Sequence, residues 1–171
     1  MKLRRLAGLL LAGAMLAALG LTAAAPANAA APFTIRNSGN GKCLQPEFGS
    51  AEQGAAIVQD PCDGSAAQNW TRAYDYVTDT FQFKNEGSQL CLDARGGAAD
   101  GTPVQQWTCN WISNEKWQMY NEALPAIDHI WSRVAGSSSY CLHNPGGTQD
   151  GAAMDIIFCN ATPADIIWWV G

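Results

Sequence analysis

Cys91-Leu92-Asp93, Gln105-Gln106-Trp107-Thr108-Cys109 and Asn114-Glu115-Lys116-Trp117 make up one stretch whose spacing decides the fold, because it occurs three times. In this copy the two cysteines are 18 residues apart, and Trp117 follows the second by eight. Upstream, Cys43-Leu44 and Cys62 are 19 apart, and Trp70 again follows by eight. Downstream, Cys141-Leu142 and Cys159 are 18 apart; eight further on lies Ile167, with Trp168 one later. The first cysteines recur at intervals of 48 and 50, each preceded at ten residues by a large aromatic: Phe33, Phe81 and Trp131. Three equivalent copies at one period mean one supersecondary unit used three times. The copies are expected over about 33–75, 81–123 and 131–171.

The unit is β. Phe33-Thr34-Ile35-Arg36-Asn37 and Phe81-Gln82-Phe83-Lys84-Asn85 alternate apolar and polar residues, the period of a half-buried strand. Turn chemistry follows each directly, in Asn37-Ser38-Gly39-Asn40-Gly41 and Asn85-Glu86-Gly87-Ser88,. Ala55-Ala56-Ile57-Val58 and Pro103-Val104-Gln105-Gln106-Trp107 are strand candidates before the second cysteines. No amphipathic helix is evident. Short strands at this spacing predict an all-β barrel or sandwich, and three copies of about four strands predict a β-trefoil, closed so that its edges are protected. Gln118 to Ile130 carries the least pattern and is expected to be a long connection.

The N-terminus reads as a targeting segment. Lys2, Arg4 and Arg5 precede an uncharged run from Leu6 to Leu21, and Pro26-Ala27-Asn28-Ala29 offers a small-x-small cleavage site. That order is a secretory signal peptide, expected over residues 1–29. The run is short for a membrane anchor of about 20 residues. Residues 30–171 then form one domain of ordinary size, and no later stretch is apolar enough to span a bilayer,. Three of the ten Lys and Arg leave with the signal while all fifteen acids stay, for a net charge of about −8. An acidic surface argues against nucleic acid and anionic membranes, which need cationic neutralisation; an uncharged ligand is compatible with it.

All six cysteines lie in the exported part, where disulfides are expected,. Six cysteines allow fifteen pairings; the simplest set that respects the repeat is Cys43–Cys62, Cys91–Cys109 and Cys141–Cys159. Each would close a loop of roughly 20 residues, worth about 3 kcal/mol in the chain-entropy model. A zinc site is disfavoured, since no two cysteines lie two to four residues apart and His129 and His143 lack ligand spacing,. No regularly spaced carboxylates suggest a calcium loop over Asp93–Asp100,. No metal or cofactor is therefore expected.

With these motifs assembled, the chain resembles the ricin B-type lectin domains, also called family 13 carbohydrate-binding modules. These carry Cys-Leu-Asp near the start of a repeat and Gln-x-Trp at its end. Cys91-Leu92-Asp93 and Gln68-Asn69-Trp70 match outright, Glu115-Lys116-Trp117 nearly so, and the third repeat is degenerate, with Asp165-Ile166-Ile167 or Ile166-Ile167-Trp168. The resemblance spans essentially all of residues 30–171 and implies a β-trefoil with up to three sugar pockets, one per repeat. Trp70 and Trp117 are expected to be core residues.

A sugar pocket needs a carboxylate to accept from neighbouring hydroxyls, a flat aromatic for the C–H face of the ring, and an amide to fix one hydroxyl. The middle repeat has all of these where the family keeps them: Asp93, the polar Gln105, Trp107 and Asn114, with Glu115 in place of the usual glutamine behind them. If Val104 and Gln106 face inward, Gln105 and Trp107 share the outer face. Trp111 is expected at the rim of this site or as a lid over it. The first repeat offers Gln45, Val58, Asp60 and Ala67, and the third His143, Asp155, Ile157 and Ala164, both without an aromatic. The expected function is carbohydrate binding, of galactose-like sugars or xylan-type polysaccharide as the resemblance implies. An enzyme is disfavoured because the repeats consume the chain and no catalytic motif stands in it. A protein-partner role, as the receptor-binding subunit of a toxin or as an inhibitor, is the competing class.

Overall fold

The computed structural model describes residues 31–171 apart from 122, 137–138 and 160–163, so the expected signal peptide lies outside the described residues. The alternating stretches form strands, and the first repeat contains β1 (Ile35–Asn37), β2 (Cys43–Pro46), β3 (Ile57–Asp60) and β4 (Trp70–Asp75). The second contains β5 (Thr80–Asn85), β6 (Cys91–Ala94), β7 (Thr102–Trp107) and β8 (Trp117–Gln118). The third contains β9 (Ala126–His129), β10 (Trp131–Ser132), β11 (Tyr140–His143), β12 (Ala152–Ala153), β13 (Asp155–Phe158) and β14 (Ile167–Val170). Among the described residues the only helical pieces are single 3-10 turns.

The chain is an all-β β-trefoil. In each repeat the strand that carries the first cysteine pairs antiparallel with the strand that precedes the second: β2 with β3, β6 with β7, β11 with β13. The outer strands pair between repeats, β4 with β5, β8 with β10, and β14 with β1, so the last strand returns to the first and the barrel closes. The hairpins also meet one another through β12 with β3, β13 with β7, and a bridge from Ala56 to Gln105. One disulfide joins the hairpin ends of each repeat, Cys43–Cys62, Cys91–Cys109 and Cys141–Cys159, as the repeat spacing predicts.

Threefold repetition is most regular in the core. Trp70, Trp117 and Trp168 are fully buried, and each indole N–H donates to the carbonyl of the leucine after the first cysteine: Leu44 at 3.1 Å, Leu92 at 2.9 Å and Leu142 at 2.9 Å. Removing about 200 Å² of ring from water stabilises by roughly 5 kcal/mol per tryptophan, and the carbonyl satisfies the one polar atom that burial would otherwise strand.

Three features of the third repeat depart from the expected register. Its core tryptophan is Trp168 and not the residue eight beyond the cysteine, because the connection there is one residue longer. Trp131 is not the counterpart of Phe33 and Phe81. Phe33 lies opposite Trp70 and Phe81 opposite Trp117, whereas the residue opposite Trp168 is Asp128. The cause is a longer turn: Arg36 pairs with Cys43 and Lys84 with Cys91, seven residues on, but Trp131 pairs with Cys141, ten on. Finally, the expected long connection from Gln118 to Ile130 begins on the last residue of β8 and contains β9. The latter turns Ile127 outward, 66% exposed, and Ala126 inward, so its alternation carries no apolar signature.

Candidate sugar-binding site

The site is built on the β6–β7 hairpin. Asp93 lies directly opposite Gln105, and Cys91 opposite Trp107. Cross-strand partners share a face and alternate residues take opposite faces. The Asp93, Gln105 and Trp107 side chains therefore stand on one face, while Leu92, Val104 and Gln106 turn to the interior, where all three are buried. This is the alternation expected from Val104 onward. By sheet geometry the Asp93–Trp107 diagonal is about 7 Å, a separation that a single sugar ring can bridge.

Asp93 is 2% exposed, and Gln105 Nε2 donates to its Oδ1 at 2.8 Å. Burial raises the carboxyl pKa, and the Gln105 bond opposes the shift,. The bond fixes the carboxylate orientation. Trp107 is half-buried, and its ring rests against Gly54 of the first repeat: a Cβ added there would lie 3.6 Å from the indole. The segment carrying Gly54 is itself tied to β7. Gly54 N–H donates to Gln106 O at 2.8 Å, and the Gln106 amide donates to Ser50 O and Glu52 O, each at 2.8 Å. The Trp107 ring is therefore backed by a braced loop from the neighbouring repeat. No feature of the local sequence announces this contact, which crosses about fifty residues of chain.

Asn114 is half-buried on the 3-10 turn Ser113–Glu115, which packs beside β6. Its bond from Ser113 Oγ is 3.5 Å long, too weak to be what fixes the turn,. Glu115, fully buried, fixes it instead. Its Oε2 accepts from the backbone N–H of Asn110 at 2.8 Å, the N–H of Trp111 at 3.1 Å and Gln82 Nε2 at 2.6 Å, while Oε1 is buried without a partner. Burial raises the Glu115 pKa; the three donors oppose this, and the nearby Asp93 charge adds to it. Trp111 is 37% exposed and holds φ +63°, a region that a tryptophan enters only when its surroundings impose it,. In this conformation the Trp111 backbone N–H reaches the Glu115 oxygen.

The other repeats place different chemistry at these positions. In the first, Gln45 lies opposite Val58 and spends its amide on Asp60 Oδ2 at 2.8 Å, and Gln68 donates to Gln45 Oε1 at 2.8 Å. In the third, His143 lies opposite Asp155, with Nδ1 and Asp155 Oδ1 2.6 Å apart and Nε2 and Asp165 Oδ2 3.5 Å apart. The register of Trp168 makes Asp165, and not Ala164, the counterpart of Asn114. The third pocket is a histidine between two carboxylates, with Ile157 where the aromatic would be.

The family profile described as ricin-type beta-trefoil lectin domain-like matches this chain twice, over residues 24–107 and 76–157. No curated protein matches it significantly. Among solved structures it is similar to a designed 3-fold symmetric protein, ThreeFoil, at TM-score 0.72 and 20% identity over 81% of this chain and 96% of that one. It is similar to 1,3Gal43A, an exo-beta-1,3-galactanase from Clostridium thermocellum, at TM-score 0.71 and 24% identity over 81% of this chain but 29% of that one. It is also similar to the Macrolepiota procera ricin B-like lectin in complex with lactose, at TM-score 0.65 and 18% identity over 82% and 94%. With the paired profile matches spanning most of its length, the chain belongs to the ricin-type β-trefoil lectin domain-like family.

Proposed function

We propose that the chain is a secreted, non-catalytic carbohydrate-binding protein that takes galactose-like sugars or xylan-type polysaccharide mainly through its middle repeat. One observation carries the reading: among the described residues, only on the β6–β7 hairpin do a buried, oriented carboxylate and an outward tryptophan share a face. Asp93 accepts from vicinal hydroxyls, Trp107 covers the C–H face, and Asn114 fixes a further hydroxyl. The partly exposed Trp111 extends the rim. The lactose held by the Macrolepiota lectin and the galactanase activity of the Clostridium protein favour the galactose-like class.

Hydrolysis is disfavoured by the position of the acids. A glycosidase needs two carboxyls flanking the bond, at least about 5 Å apart and open to substrate. The second carboxyl of this site, Glu115, is fully buried and spent on the turn. Secretion is supported by the order of basic, apolar and small residues over 1–29 and by three disulfides. One shallow pocket binds weakly, about 4 kcal/mol for a millimolar constant, so repeated epitopes on a polymer would supply avidity.

A glycan and polysaccharide array probed with the protein beside its Asp93→Ala variant tests the reading. Binding to galacto- or xylo-configured glycans that disappears in the variant supports it. No binding by either protein, both folded, overturns it and favours a receptor-binding or inhibitor role with a protein partner.

A further inference from the structure

Residues 30–171 carry seven lysines and arginines, and six of their side chains are partnered. Arg36 lies 3.7 Å from the centre of the Trp169 ring, and Arg72 4.7 Å from that of Phe81. Lys42 pairs with Asp150, Lys84 Nζ donates to Gln89 Oε1 at 2.9 Å, Lys116 Nζ meets Asp75 Oδ2 at 3.0 Å, and Arg133 donates to Gln118 Oε1 at 3.4 Å. The seventh, Arg95, is exposed, and its guanidinium has no hydrogen bond, ion pair or ring contact among the described residues.

This one unpartnered cation stands beside Asp93. The Arg95 backbone N–H donates to Pro103 O at 2.9 Å, which carries the β6–β7 ladder one residue past the Ala94–Val104 pair. Ala94 and Val104 are buried, while Arg95 and Pro103 next to them are exposed. Alternation therefore puts Arg95 on the face of Asp93, Gln105 and Trp107. Trp107 lies opposite Cys91, two residues before Asp93, and Arg95 follows two residues after it. The face thus runs from aromatic through carboxylate to guanidinium, with the Asp93 and Arg95 Cα atoms about 7 Å apart by the rise of a strand. Beyond Arg95 the loop is open: a Cβ added at Gly96 or at Gly97 would meet nothing within 4 Å.

A guanidinium offers five N–H donors in a planar fork that fits a carboxylate or a sulfate. The chain around it is acidic overall, so attraction for an anion is local to this position. Asp93 repels an oxyanion placed directly against it, and a spacing of about one sugar ring between the two groups relieves that conflict. We propose that Arg95 selects glycans that carry an oxyanion, a uronate carboxylate or a sulfate ester, on or next to the sugar held between Asp93 and Trp107. The inference rests on the middle-repeat reading and deepens it from a neutral sugar to an acidic one.

Titration calorimetry at low ionic strength tests it, with galactose against galacturonic acid, lactose against a sulfated lactose, and xylotriose against a xylotriose bearing glucuronic acid. At least one acidic glycan is expected to bind about threefold or more tighter than its neutral counterpart, by a margin that shrinks as salt is raised. Arg95→Gln is expected to remove the margin and leave affinity for the neutral glycan unchanged, and Arg95→Lys, which keeps the charge, to retain part of it. A larger margin for the sulfated lactose marks a sulfate ester and a larger margin for the uronates a carboxylate; either upholds the proposal. Equal affinities within every pair, or a margin that survives in Arg95→Gln, would overturn it and leave neutral sugar binding at the middle repeat standing. Absence of binding by all six glycans to the folded protein would overturn the middle-repeat reading, and this proposal with it.

Discussion

Glu115 occupies in the middle repeat the place that Gln68 occupies in the first, two residues before the buried tryptophan, but it has no N–H to give. Gln68 Nε2 donates to Pro61 O at 2.9 Å and to Gln45 Oε1 at 2.8 Å, while its Oε1 accepts from Asp63 N–H at 2.8 Å. Glu115 keeps the accepting half of that pattern on Oε2 and leaves Oε1 unpaired, within the field of Asp93. Glu115→Gln restores the missing donor. It is expected to raise stability at neutral pH by about 1 kcal/mol, or about 3 °C in melting temperature for a domain of this size.

The gain should depend on pH. Glu115 and Asp93 both have pKa values raised by burial, so the folded state holds these protons longer than the unfolded chain. Stability from this source is complete below the unfolded carboxyl range, near 4.5 for Glu, and is lost as pH rises through the folded values. Thermal melts from about pH 4 to pH 7 should show the advantage of Glu115→Gln growing with pH. An advantage independent of pH would contradict the assignment of the unpaired oxygen.

His143 works in the opposite chemical sense within the third repeat. Burial disfavours its charge, but the hydrogen bond and charge of Asp155, with Asp165 behind, outweigh burial and raise its pKa above 6.5. Its contribution is complete below 6.5 and fades as pH rises through the raised value. His143→Gln is expected to flatten the fall in melting temperature over that window above 6.5 and leave the acidic one unchanged. Differential scanning calorimetry across both windows separates the two.

Trp107→Ala is expected to weaken sugar binding at least tenfold with a minor effect on stability, because the ring is half-exposed and its rear contact is a glycine. Gly54→Val should affect binding through the same ring. It places a branched side chain at φ +86° beside the indole, displacing Trp107 and costing stability as well. Titration calorimetry beside a melt for each variant distinguishes the two patterns.

Removing one disulfide, as in Cys91→Ala with Cys109→Ala, is expected to cost about 3 kcal/mol for a loop of this length. Denaturant unfolding measures it. Sugar affinity should also fall, since this bridge joins the two ends of the hairpin that carries Asp93 and Trp107.

The middle repeat was legible in the sequence because its chemistry is local. Alternation from Val104 sets which of Gln105, Gln106 and Trp107 face outward, and Cys91-Leu92-Asp93 sets the opposing strand. The third repeat was harder to read. Its longer turn shifts Trp131 out of the aromatic register and gives that place to Asp128, and one further residue before Trp168 moves Asp165 into the amide position. Periodicity counted from cysteines cannot place such insertions, because the strands on either side keep their own pairing. The backing of Trp107 by Gly54 arises where segments distant in sequence meet, and no single segment signals it.

The most direct test of sugar binding at the middle repeat is a titration with lactose and with a xylo-oligosaccharide, followed at the side-chain N–H signals of Trp107 and Gln105. Saturable shifts at both residues with at least one of these ligands, absent in Asp93→Ala, are the predicted result. Shifts confined to the third repeat around His143 and Asp165, or no shifts in a folded protein, would contradict it.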